Sequence, residues 1–166
     1  DFNQQTLQNA ASQLSDAGYQ VKTHPVDVAS RSSVELLASY AASLGNVMQV
    51  VNTAGLSPNM APVDKVLEVD LYGAAVVFEE FEKVIAQGGA GLIISSMAGH
   101  MMPALTPEQD HALAYTPTEE LLSLSFLQPE AVPNTLVAYM LAKRANHLRV
   151  QASAMTWGDK GARVNS

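Results

Sequence analysis

The chain contains no cysteine, so disulfides and thiolate metal sites are excluded. Cations are scarce: nine Lys and Arg stand against sixteen Asp and Glu, for a formal net charge of −7, and they are scattered rather than clustered. A nucleic-acid partner, which needs a basic face, is not expected. No apolar run approaches the roughly 18 residues of a membrane-spanning helix, so no membrane partner is expected, and no signal peptide is visible at the start. The four histidines, His24, His100, His111 and His147, lie far apart without ligand spacing, so no metal site is expected. Aromatic residues make up only 6%. What the chain does have is aliphatic mass. Apolar residues reach 48% of 166 positions against 15% charged, enough for a substantial core.

That mass is patterned. Residues 3–17 place Leu7, Ala10, Ala11 and Leu14 at helical spacing and stop at Gly18. Residues 19–28 read as a short strand running into a loop at Asp27. A second helix over 31–44 is apolar at Val34, Leu37, Ala38, Ala41 and Leu44, and Gly45 caps it. Residues 47–51 form a buried strand that ends at once in Asn52-Thr53-Ala54-Gly55. A long helix over 64–86 closes at Gly88 and Gly89, and a further buried strand over 91–96 leads into Met97-Ala98-Gly99. After a proline-punctuated stretch, residues 136 to about 157 are helical, and 161–166 begin a strand. Strands that alternate with helices and are apolar throughout predict an α/β fold of the Rossmann type, a doubly wound parallel sheet with helices on both faces. Ligands of such sheets bind beyond the carboxyl ends of the strands. The polar punctuation falls there: Asp27, Asn52 to Gly55, and Ser95 to Gly99.

The last helix carries Tyr139 and Lys143 four residues apart, hence on one face. A cation beside a phenol favours the phenolate, which makes a tyrosine usable as a general acid/base. By itself the spacing is weak evidence, because a buried tyrosine beside a solvated lysine produces it far more often.

Taken in order, Asp27-Val28, Asn52-Thr53-Ala54-Gly55, Ser95-Ser96-Met97-Ala98-Gly99, Tyr139 with Lys143, and Gly161-Ala162-Arg163-Val164-Asn165 resemble the motifs of the short-chain dehydrogenase/reductase family. The resemblance spans nearly the whole chain and implies a cytoplasmic oxidoreductase. It would interconvert a hydrophobic secondary alcohol and its ketone with NAD, NADP being disfavoured. Ser96 would hydrogen-bond the substrate oxygen, Tyr139 would exchange its proton, and Lys143 would support the tyrosine and bind the nicotinamide ribose. Asn52, Thr53, Ala54 and Gly55 would line the cofactor, with Thr53 where the family has a second asparagine, and Asp27 with Val28 would contact the adenine. Asp1, in the place of the acidic residue that ends the family's second strand, would bind the adenosine ribose and select NAD.

One position departs from the pattern. The family's long central helix carries an asparagine that supports a proton-relay water. Here the segment reads Val69-Asp70-Leu71-Tyr72-Gly73, and an ionised Asp70 can only accept hydrogen bonds. That substitution keeps open a second reading, a protein of the same fold that binds the dinucleotide without efficient turnover, as a sensor or scaffold. The family's first strand and Gly-rich turn have no counterpart here, and neither has its C-terminal part. Residues 1–166 are therefore expected to be part of a single domain in a longer chain.

Ser96 and Tyr139 are separated by 43 positions, more than in most relatives, so residues 100–135 are read as a helical insert. Its prolines are Pro103, Pro107, Pro117, Pro129 and Pro133. Thr106-Pro107 and Thr116-Pro117, each followed by acids, read as helix starts. With the short connection from Gly55 to Asp70, the insert resembles the bacterial 3α-hydroxysteroid dehydrogenase/carbonyl reductase branch and implies a homodimer, with a homotetramer as the alternative. Met97, His100 and Met101 follow the catalytic strand and are candidates for the substrate pocket.

Overall fold

A computed structural model describes residues 1–128 and 130–166; Pro129 of the insert lies outside the described residues. In chain order the elements are α1 (Gln4–Asp16), α2 (Arg31–Leu44), β1 (Val47–Asn52), α3 (Val63–Leu67), a π-helical segment (Glu68–Gly73), α4 (Ala74–Val84), β2 (Ile85–Ile93), α5 (Pro107–Tyr115), α6 (Thr135–Asp159) and β3 (Arg163–Asn165). Short 3-10 turns lie at Met97–His100, Thr118–Ser123 and Ser125–Leu127.

Helix starts follow the local chemistry. Asn3, Ser30 and Asn134 accept hydrogen bonds from the backbone N–H three residues on, at Thr6, Ser33 and Val137. Thr106 and Gln109 form a reciprocal capping box with Pro107 in the first turn. The expected second helix start, at Thr116-Pro117, yields only 3-10 turns. There the position before the turn is Pro117, which offers no side-chain cap, Thr118 gives its hydroxyl to Glu79, and Leu121 and Leu127 are drawn into the core.

The three strands run parallel in the order β1-β2-β3, with Val50 opposite Gly91, Asn52 opposite Ile93 and Gly91 opposite Val164. This is the Rossmann-type α/β arrangement that the alternation of elements implies. Two expectations change in detail. Residues 19–28 form no strand: of their backbone bonds to distant residues, the one found runs from the Val26 N–H to the Asp1 carbonyl (3.1 Å), and a strand needs a continuous ladder. The strands are also not buried throughout. Val50, Asn52, Gly91 and Ile93 are buried, whereas Gln49, Val51, Leu92 and Ile94 between and beyond them are exposed. One face is thus packed and the other open within this chain. Aliphatic runs do not distinguish the two cases, because β-branched residues suit a pleated surface either way.

On the packed face Val34 and Ala38 of α2 meet Val76, Val77, Phe78 and Phe81 of α4, with Trp157 of α6 fully buried beneath them. A second cluster joins Val66, Leu67 and Leu71 to Ala138, Leu141 and Ala145 of α6 and to Leu113, Leu121, Leu127 and Val132 of the insert. The insert is therefore packed into the fold, not a loose excursion. Its acidic Glu119 and the buried Glu80 share Arg31 of α2, and Arg149 of α6 reaches Thr118 (2.8 Å). This lays the insert across α2, α4 and α6. Burial opposes the charge on Arg31, yet hydrogen bonds to Glu79, Glu119 and Glu80 hold its guanidinium well above the ordinary range.

Candidate active site

The ends of β1 and β2, the π-helical segment and α6 converge on the ammonium of Lys143. Its Nζ donates to the carbonyl of Ile94, just past β2 (3.1 Å). It lies 3.7 Å from Asp70 Oδ2, an ion-pair separation too long for a hydrogen bond, and 5.3 Å from the centre of the Tyr139 ring. Lys143 is 5% and Asp70 1% exposed, so this charge is held inside the protein. The other Asp70 oxygen accepts from the Leu56 N–H (2.7 Å), while Oδ2 has no hydrogen-bond partner. Burial raises the Asp70 carboxyl above the usual carboxylate range, against the opposing pull of the Leu56 N–H and of Lys143.

Backbone geometry places Asp70. Residues 63–84 are continuously helical where the periodicity predicts a helix over 64–86, and β2 starts at Ile85 and ends at Ile93 instead of spanning 91–96; the turn at 68–73 is π-helical. Such bulges occur frequently at functional sites. Gly55 completes this wall: a Cβ there would stand 3.4 Å from Asp70 Oδ1 and 3.6 Å from Lys143 Nζ.

Ser96 caps the turn at Met97–His100, its Oγ accepting from the Ala98 N–H (3.1 Å). The turn is pressed onto α6 at Gly99, where a Cβ would lie 2.8 Å from Lys143 C and Arg144 N. Ser96 is thereby carried on a segment that touches the helix bearing Tyr139 and Lys143. The neighbouring Ser95 Oγ reaches the Lys143 carbonyl (2.9 Å) and His147 Nε2 (3.0 Å). His147 belongs to none of the motifs, although its place four residues after Lys143 puts it on the Tyr139–Lys143 face.

Beside this centre runs a groove of about 690 Å³. Asp1, Asp27 and Val28 line it together with Asn52, Thr53, Ala54 and Gly55, so one groove gathers every residue assigned to the cofactor except Tyr139 and Lys143. Asp27 accepts from the Ala29 N–H (2.9 Å) and Asp1 from the Asn3 N–H (2.8 Å), each through one oxygen. A carboxylate so engaged keeps acceptor capacity for ribose hydroxyls or an adenine amino group. Val28 and Leu37, both half-buried, add apolar lining, while Val26 and Val50 behind them belong to the core. These acceptors suit the hydroxyls and amino group of a dinucleotide.

A family model described as short chain dehydrogenase matches residues 1–108. The chain belongs to the short-chain dehydrogenase family. It is 37% identical over 168 residues to the short-chain dehydrogenase/reductase bsc3 of Alternaria brassicicola, covering all of this chain and 61% of that protein. Against the 3-alpha-hydroxysteroid dehydrogenase/carbonyl reductase of Comamonas testosteroni the identity is 28% over 120 residues, 70% of this chain and 46% of that one. The chain thus spans less than two thirds of both curated relatives. Among solved structures of the same fold is the 3-alpha-hydroxysteroid dehydrogenase of Pseudomonas sp. B-0831 complexed with NADH. It has a TM-score of 0.73 at 19% identity, over 93% of this chain and 64% of that one.

The substrate candidates do not behave alike in this short-chain dehydrogenase chain. Met97 and Met101 are 77% and 62% exposed. His100 lines a cleft of about 220 Å³ with Met102, Leu105 and the ion-paired Arg144 and Asp110 (2.5 Å). Among the described residues no helix is long and apolar enough to cross a membrane.

Proposed function

We propose that the whole protein interconverts a hydrophobic secondary alcohol and its ketone, with NAD as the redox partner. The observation that carries this reading is the convergence on Lys143: the Tyr139 ring, the Ile94 carbonyl and the buried Asp70 all lie about one ammonium at the carboxyl end of β2. Tyr139 exchanges a proton with the substrate oxygen. Ser96 donates a hydrogen bond to that oxygen and fixes its position. Lys143 stabilises the phenolate electrostatically and bonds the ribose. A bound nicotinamide supplies hydride exchange at the substrate carbon; the chain's part is to orient the reactants and move the proton.

Asp1, Asp27, Val28 and Asn52 to Gly55 are read as the residues that hold the dinucleotide. The carboxylate of Asp1 would repel a 2′-phosphate and so favour NAD over NADP. The exposed Met97 and Met101, and the cleft that His100 lines with Met102, Leu105, Arg144 and Asp110, are read as the substrate's approach. The insert, laid across α2, α4 and α6, favours a homodimer over a tetramer built on those helices.

The test follows NADH absorbance in the whole protein given NAD and a panel of hydrophobic secondary alcohols, with NADP and a Tyr139→Phe variant alongside. The reading expects NAD-selective turnover that the variant loses by at least about a hundredfold. Tight NAD binding without turnover of any alcohol or ketone would instead favour a dinucleotide-binding sensor of the same fold.

A further inference from the structure

His147 stands outside every role assigned so far, yet it sits at the junction of three elements. Its Nε2 lies 3.0 Å from Ser95 Oγ and 3.2 Å from the carbonyl of Ser96. Its Nδ1 lies 3.1 Å from Ser166 Oγ, just past β3. Its ring meets that of His100 at 4.5 Å between centroids.

Counting protons fixes the direction of these bonds. The carbonyls of Lys143 and Ser96 can only accept, and Ser95 has one hydroxyl proton. If that proton went to His147, the Lys143 carbonyl would lose its bond from Ser95, and the Ser96 carbonyl would face a nitrogen lone pair at 3.2 Å. If it goes to Lys143 (2.9 Å), His147 Nε2 carries hydrogen and shares it between Ser95 Oγ and the Ser96 carbonyl, and every contact is attractive. Nδ1 then accepts from Ser166 when the ring is neutral and donates to it when the ring is cationic. A hydroxyl serves either way, so the arrangement survives a change of ring charge.

We propose that His147 is a positioning residue. Through this shared Nε2–H it ties the backbone of Ser96 to the helix that carries Tyr139 and Lys143, and so sets the Ser96 hydroxyl against them. It touches no reacting atom. The inference rests on the reading of Ser96 as the donor to the substrate oxygen.

Two measurements on the whole protein test it. Long-range proton–nitrogen NMR, well above the usual histidine titration range, should find His147 with its proton on Nε2; a proton on Nδ1 overturns the clamp. In the turnover assay His147→Gln retains an N–H of similar reach, whereas His147→Leu has none. The leucine variant should lose roughly ten- to a hundredfold in kcat, as expected for a sub-ångström misplacement, with cofactor affinity unchanged, and the glutamine variant should recover most of that loss. Wild-type kcat in the leucine variant overturns the inference, as does equal damage in both. If the leucine variant fails to fold, His147→Asn, too short to reach Ser95, takes its place with the same expected loss. A parallel Ser96→Ala separates the two claims. Full turnover there defeats the reading of Ser96 itself, while a slow Ser96→Ala beside an unaffected His147→Leu defeats only the role of His147.

Discussion

Replacing Gly99 by alanine asks whether the contact between the Met97–His100 turn and α6 matters to catalysis or only to packing. The added Cβ would stand 2.8 Å from both Lys143 C and Arg144 N, and 3.0 Å from the Lys143 carbonyl oxygen. Ordinary carbon contacts lie near 3.5–4.0 Å, so the surfaces must part by roughly 0.7 Å. All three obstructing atoms are helix backbone, which cannot rotate aside. Overpacking of this kind costs about 1–3 kcal/mol, which corresponds to a Tm lower by roughly 3–10 °C in a protein of this size class. The same displacement carries Ser96 away from Tyr139 and Lys143. A misplacement near 1 Å can cost about a hundredfold in rate, so kcat should fall at least about tenfold while affinity for the cofactor, held mainly in the separate groove, persists. The assay is kcat and Tm on the whole protein, with Gly158→Ala as control, because no atom lies within 4 Å of a Cβ at that α6 position. Wild-type kcat and Tm in Gly99→Ala would refute the reasoning. A lower Tm with unchanged kcat would refute its catalytic half.

Two further expectations concern Asp70 and assembly. Burial raises the Asp70 carboxyl, so the folded state holds that proton more tightly than the unfolded chain does. Its contribution to stability is then fully present below the ordinary aspartate value, near ~3.9, and is lost as pH rises through the raised one. The Tm of Asp70→Asn minus that of wild type should therefore become more favourable to the variant from about pH 4 upward, and a difference flat in pH, or of opposite slope, would count against a raised carboxyl. Light scattering of the whole protein should give the mass of a dimer; a tetramer would mean that the insert does not mask the helices it crosses.

Much of this site was legible because its parts are local in sequence. Tyr139 and Lys143 share a face by spacing alone, Thr106-Pro107 announces a helix through its own side chains, and Asn52 to Gly55 follow a strand directly. What escaped was set by partners distant in sequence. Residues 19–28 have the composition of a strand, but a strand is made by its neighbours, and among the described residues its one long-range backbone bond runs from the Val26 N–H to the Asp1 carbonyl. Thr116-Pro117 has the composition of a helix start, but the segment after it forms 3-10 turns that bury Leu121 and Leu127 in the core beside α3 and α6. The case of Asp70 is sharper. Sequence reveals a carboxyl where the family has an amide, and on the surface of a helix that exchange would create a fixed negative charge. The structure places it 1% exposed, one oxygen bonded to the Leu56 N–H and the other without a partner. Burial there raises the carboxyl's hold on a proton, against the pull of the Leu56 N–H and Lys143, and a carboxyl that carries its proton can donate a hydrogen bond as an amide does. The substitution that looks most hostile to a proton relay is thus the one whose chemistry its surroundings move back toward asparagine.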